Sequence, residues 1–325
     1  MTAFRDLKRI IRERQSKTGE SYTAARVHVL RERAALLGAA PAQSAASEPE
    51  RVEAVVLKVN RQSARVRIPG ESGQLTFRSG RIWHLAPGHL VTLAIDKRWT
   101  WKGDPYASGR AENPRIAVEQ LGLEPLPLHG GELVNLRSGY EPFRRPDPYA
   151  PMWRSLTARP RPDFEMDPIA WGEFPDVDFE DNLTCEAAEL AGAGDAIGAR
   201  ELLMEALGID LRCLDAHAHL GNLEFDYSPE RAIVHYEIGV RIGELSLPDG
   251  FEGLLRWGHI NNRPYLRCLH GYALCLWRLG QRARAEQAFE QILSLNPHDN
   301  QGVRFCWGDL RAGHAWEDAA EREAS

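Results

Sequence analysis

The stretch Leu269–Pro297, LHGYALCLWRLGQRARAEQAFEQILSLNP, sets large, small and turn-forming residues at fixed places: Leu269, Tyr272, Ala273 and Leu276, then Gly280, then Ala285, Phe289 and Ile292, closing on Pro297. The same offsets recur upstream in LTCEAAELAGAGDAIGARELLMEALGIDL as Leu183, Ala187, Leu190, Gly194, Ala199, Leu203 and Ala206. A third copy, HLGNLEFDYSPERAIVHYEIGV, keeps Leu220, Gly221, Ala232, Tyr236 and Gly239, and a fourth keeps Val303, Trp307, Gly313 and Ala319. The units start at 180, 214, 266 and 300, so two intervals are 34 residues and the middle one, 52, holds 18 extra. A recurring period of this length marks a repeat architecture.

Residues 180–320 resemble the bacterial type of tetratricopeptide repeat (TPR), with Leu276 where the family has tyrosine and Ile292 where it has alanine. The resemblance implies a C-terminal α-solenoid over 179–320, in which small residues let paired helices approach while Tyr and Phe fill the gaps between pairs. It implies an insertion at about 247–265 whose Phe251 and Trp257 fold back on the array. It also implies a concave groove for an extended or helical peptide, lined by Asn222, Phe225, Arg267, His270, Trp277, Arg278 and Arg304. Arginine and tryptophan are frequent interface anchors. Only Asn222 matches the repeats that clamp a C-terminal carboxylate, and the paired lysines of that clamp are missing.

Upstream the period changes from 3.6 to 2. VEAVVLKV, SARVRI, GQLTF and HLVTLAI are alternating and β-branched, with turns at Asn60–Ser63, Pro69–Gly70 and Pro87–Gly88, and YASGRA closes the series. Such runs predict consecutive antiparallel strands and a small β-barrel over 51–112. The order of features is similar to an S1 or OB-type barrel, although Asn60 and Ala64 stand where S1 domains carry surface aromatics. Between them, residues 113–178 are rich in proline, which predicts a strap without regular helix or central strand. Its Tyr140, Phe143, Tyr149, Met152, Trp153, Phe164, Trp171 and Phe174 predict packing against the neighbouring domains, and IAVEQLGL predicts one short helix. At the front, residues 1–38 predict a basic helical hairpin, suited to DNA reading or to docking, and 39–50 a flexible linker.

The whole is a multidomain α and β chain of 325 residues with net charge −6. That total hides an asymmetry: residues 1–38 carry +5, 51–110 carry +7 and 163–252 carry −18. A basic front half attracts polyanions, or else the two halves attract each other. Five cysteines without a CxxC pair predict reduced thiols rather than a disulfide framework. No apolar run is long enough to cross a bilayer, and the charged start is unlike a signal peptide, so a cytoplasmic location and no membrane partner are expected.

Chemistry is sparse. His217 and His219 lie two apart and point to different faces of a helix, so a histidine packing layer with His235 is expected rather than a metal site. Asp176, Asp178, Glu180 and Asp181 lack the glycine and ligand spacing of a calcium loop. No phosphate-loop, dinucleotide, nucleophile-elbow or zinc-protease motif occurs, and no catalytic residue, metal or cofactor is expected. The leading expectation is a non-enzymatic adaptor binding a partner peptide in the repeat groove. The alternative is a nucleic-acid-binding or regulatory protein using the hairpin and the barrel, with Arg65, Arg67, Lys97, Arg98, Trp99, Trp101 and Lys102 as contacts. In DKRWTWKGDPYASG, alternation puts Trp99 and Trp101 on one face; the prolines and aromatics that follow favour a face turned toward the barrel or strap.

Overall fold

Alternating β-branched residues form five strands, β1 Glu50–Val59, β2 Ser63–Arg67, β3 Leu75–Arg78, β4 His89–Trp101 and β5 Asp104–Ile116. They close into a barrel in the order β1-β2-β3-β5-β4, with β4 returning to β1. The computed structural model describes residues 14, 18, 49–71, 73–82, 84–136, 147–167 and 183–323, with side chains up to 319. The chain divides into two compact units, Met1–Pro49 and Glu50–Ser325. In the first, Arg14 and Thr18 are helical and the Thr18 hydroxyl donates to the Arg14 carbonyl at 2.9 Å. The rest of the expected hairpin, the linker up to residue 48, and Tyr140, Phe143, Trp171, Phe174 and the acidic cluster Asp176–Asp181 lie outside the described residues, while Glu50, expected in the linker, opens β1.

The expectation of a purely antiparallel barrel is corrected. β3 pairs with β5 in parallel, Thr76 opposite Tyr106 and Arg78 opposite Ser108, because the chain crosses from β3 to β4 before β5 fills the gap between them. The strap is also more regular than its prolines suggested. It holds β6 Leu128–Val134 paired with β7 Arg161–Met166, and the helix α1 Ala150–Leu156. Pro151 stands in the first turn of α1, where no amide hydrogen is needed, and Pro162 sits in a two-stranded ribbon rather than a central strand. The helix expected at IAVEQLGL is reduced to the single 3₁₀ turn Val118–Gln120.

Among the described residues eight helices follow: α2 Leu183–Gly192, α3 Ala196–Ile209, α4 Leu214–Phe225, α5 Pro229–Glu244, α6 Arg263–Arg278, α7 Arg282–Leu295, α8 Val303–Arg311 and α9 Trp316–Glu323. None is long and apolar enough to cross a membrane. The segment between α5 and α6 lies against the strap: Leu254 accepts from the Phe164 amide at 2.9 Å, and Phe251 meets Phe164 at 5.5 Å between centroids. Trp257 rests beside Arg263 and Arg267 of α6.

Strand β1 is buried on both sides, which positions everything else. Ala54 and Val56 face the barrel interior with Phe77, Val91 and Leu93. Val55, with Ala86 and Leu90, faces outward into a second core shared with Leu214, Ala218, Ile238 and Ile242 of the helices. Val118, Leu121 and Leu126 of the strap seal the same core. Gly88 makes the approach possible: its φ is +96°, and a Cβ there would lie 2.7 Å from Ile238 Cγ2. The barrel is therefore bolted to the helical region by apolar contact, each large side chain contributing about 1.5–3 kcal/mol.

Histidines occupy this junction and the helical core. His89, His217 and His235 are buried. His89 Nδ1 accepts from the Ala86 amide at 3.1 Å, and His217 Nε2 faces the Leu211 carbonyl at 3.0 Å. Burial holds His89, His217 and His270 down to about 4, and His235 well below its usual range. These groups are neutral in the folded protein and protonate in the unfolded chain near pH 6.5. Stability is thus intact above pH 6.5 and falls as pH drops toward 4, by about 1.4 kcal/mol per pH unit for each histidine. Asp299, pushed up to about 6 by burial, binds a proton in the folded state over part of that window and offsets one of them. Urea unfolding at about pH 7.5 and about pH 5 should show a lower midpoint in acid, with a smaller drop in His89→Gln. Equal midpoints would contradict this account.

Candidate functional site

Two glycines shape the groove of the helical region. Gly221 on α4 and Gly271 on α6 both face Tyr236 of α5, and a Cβ at either would overlap the phenol ring. The ring fills the slot they leave, and its hydroxyl donates to Asn222 Oδ1 at 2.6 Å. Burial pushes the Tyr236 phenol up, so it remains a donor. With Oδ1 held this way, the exposed Asn222 keeps Nδ2 without a partner among the described residues.

Asn222, Phe225, Arg267, His270, Leu274 and Gln301 line a recess of about 330 Å³ over α4, α6 and the start of α8. His270, Leu274 and Gln301 continue into a second recess of about 250 Å³, walled by Trp277, Phe305 and Trp316. His270 Nε2 and Gln301 Oε1 are sealed from solvent at this floor and have no hydrogen-bond partner among the described residues. Leaving such atoms unpaired costs about 1–3 kcal/mol each.

The other expected anchors are engaged within the fold. Arg267 Nη1 donates to Asp215 Oδ1 at 2.7 Å. Arg278 donates to the Phe225 carbonyl and lies 4.7 Å over the Phe225 ring and 5.7 Å over Trp316. Trp277, expected to project into the groove, is only 3% exposed: Nε1 donates to the His314 carbonyl at 3.2 Å, and Trp316 packs edge-on at 5.5 Å. Arg304 lies 3.7 Å from Asp299 and lines a different cleft, of about 870 Å³, with Met152, Trp307 and Arg311. The groove thus gathers Asn222, Phe225, Arg267 and His270, with Arg278 buttressing Phe225, Trp277 beneath and Arg304 elsewhere. Gln301 and the closing Trp316 were missed, since their place depends on how the last helices fold back.

On the barrel, the expected inward face of the tryptophans is corrected. Trp101 is 56% exposed and Trp99 half-buried. The reason is a register shift between Ile95 and Lys97: Ile95 pairs with Gly109 but Lys97 with Ser108, so Asp96 is an extra residue. Val91, Leu93 and Ile95 point into the barrel. A bulge reverses the alternation beyond it, turning Lys97, Trp99 and Trp101 outward. Arg98 then falls on the rim, bound to Glu50 through bonds of 2.9 and 3.0 Å. Arg65 and Arg67 are exposed on β2, the first 3.4 Å from Gln74 and the second 3.3 Å from the Leu121 carbonyl. Lys102 Nζ lies 4.7 Å over the Trp101 ring.

Among the described residues no group of three or more histidine, cysteine or carboxylate side chains is arranged to hold a metal ion. None of the five cysteines is in a disulfide; Cys213, Cys268 and Cys275 are buried and their thiols held up by burial. No protein-family model, curated protein or solved structure matches this chain.

Because Trp277 is packed between Phe289 and Trp316, Trp277→Ala should act through stability. Loss of a buried tryptophan costs about 3–5 kcal/mol. Denaturant unfolding checks this; a variant as stable as the parent would place the ring at the surface instead.

Proposed function

We propose that the protein is an adaptor without enzymatic activity, whose helices repeat in the TPR manner and whose α4–α6–α8 groove holds an extended peptide of a partner protein. One observation carries this reading. Asn222 is exposed on the groove wall with its carboxamide oriented by the Tyr236 hydroxyl, which leaves Nδ2 to meet a peptide carbonyl. Beside it, half-buried Phe225, Leu274 and Phe305 offer apolar surface for alternate side chains. A fixed donor beside apolar recesses suits a chain whose backbone repeats a carbonyl every residue, and pre-orientation lowers the entropy lost on binding. The helix starts at 183, 214, 263 and 303, close to the repeat starts read from the sequence, support the solenoid reading.

Selection from a displayed library of random peptides tests the proposal. Selected peptides should lose roughly five-fold or more in affinity on Asn222→Ala, the value of one hydrogen bond, and a smaller amount on Tyr236→Phe. Failure to select any peptide, or selection of peptides indifferent to Asn222→Ala, would sink it.

A further inference from the structure

Helix α9 leaves the course that the earlier helices set. The sequence units begin at 180, 214, 266 and 300, which makes α9 the second helix of the fourth. In a stacked array each unit touches only its neighbours, so α9 should stack on α8 and have no reach to α4. Instead the chain turns at Gly313, where φ is +91°, and lays the Trp316 indole over the end of the groove where α4 and α6 stop. The ring packs edge-on against Trp277 of α6 at 5.5 Å and against Phe225 of α4, two units back, at 5.9 Å between centroids. The Arg278 guanidinium lies 5.7 Å over the same ring.

The chain is held differently on the two sides of that ring. Before it, the His314 carbonyl accepts from Trp277 Nε1 at 3.2 Å and from Arg282 Nη1 at 2.8 Å, and His314 Nδ1 lies 3.2 Å from Asp309 Oδ1. After it, Glu317 and Asp318 are exposed, while Trp316 and Ala319, both half-buried, line the recess beside His270 and Phe305. A fixed turn followed by a helix seated through one large side chain is a segment that opens locally while its neighbours stay folded. The seat itself has the chemistry of a ligand pocket: two aromatic edges and the flat face of a guanidinium that is already held to the Phe225 carbonyl.

We infer that α9 is an internal occupant of the groove, and that the partner segment which displaces it carries a tryptophan to take the place of Trp316 between Phe225, Trp277 and Arg278. This rests on the peptide-groove reading above and adds the partner's chemistry and its regulation. Indole is the side chain that fits best, since it gives the strongest attraction to a guanidinium over its face and the largest apolar area. Binding is competitive: the apparent affinity for a partner is reduced by the fraction of chains in which α9 is lifted.

Selection of displayed random peptides on the full chain and on Trp316→Ala, followed by hydrogen exchange, tests the inference. Both selections should enrich tryptophan. The selected peptides should bind Trp316→Ala about ten-fold or more tighter than the parent, the factor set by an open state populated at about a tenth or less. In the parent, bound peptide should speed exchange of the amides of α9 while α6 and α8 stay protected. Because Trp316→Ala also strips packing from Trp277, Ala319→Asp is the second variant: it sets a carboxylate in the recess that Asp309 also lines and lifts the helix with the ring intact. It should raise affinity as well. Peptides that require Asn222 yet bind the parent and both variants alike, or leave exchange in α9 unchanged, would overturn this inference and keep the groove. Tight peptides without tryptophan would overturn the partner chemistry. No peptide from any chain would sink both readings.

Discussion

Everything in the larger unit depends on one strand having two dry faces. β1 supplies Ala54 and Val56 to the barrel interior and Val55 to the core shared with Ile238 and Leu214. A strand exposed on one side would leave the barrel a tethered module. Buried on both, it makes barrel, strap and helices share contacts, so that loosening the junction costs apolar burial in each. Among the described residues, apolar contact fills the centre of the junction. The junction is lined by Leu90, Ala86, Ile238, Leu121 and Leu126, and polar crossings such as Arg67 to the Leu121 carbonyl lie at its margin.

This arrangement bears on which charges remain for partners. The barrel sets Lys58 and Arg65 in a cleft beside Glu205 of α3. Docked through apolar contact, it keeps Arg78, Lys97 and Lys102 on the far strands of its sheet. The histidines at the same junction are a consequence of its dryness. Their rings fill space among aliphatic side chains, and the surrounding medium keeps them neutral.

Much of the fold was legible in the sequence because each element carries its own period. The five strands appear as alternating runs bounded by Asn60, Gly70 and Gly88, and the helices from Leu183 onward as repeated offsets. Contacts between residues far apart in sequence were not legible. Nothing local to Leu75–Arg78 or Tyr106–Ser108 says that they pair in parallel. In the strap, prolines argued against regular structure, yet Pro151 and Pro162 occupy the places that tolerate them. The groove was legible as far as its helix faces: Asn222, Phe225, Arg267 and His270 do meet. Trp277 did not stay open, because α9 folds Trp316 across it. The facing of Trp99 and Trp101 was lost to one residue, Asp96, which breaks the alternation that the reading relied on.

That bulge also sets what the hairpin beyond it shows to solvent. Trp99 and Trp101 lie two residues apart on a strand, about 6.7 Å. One inserted residue thus turns outward a pair of rings that unbroken alternation would have pointed at the barrel, with no change in the residues on either side of it.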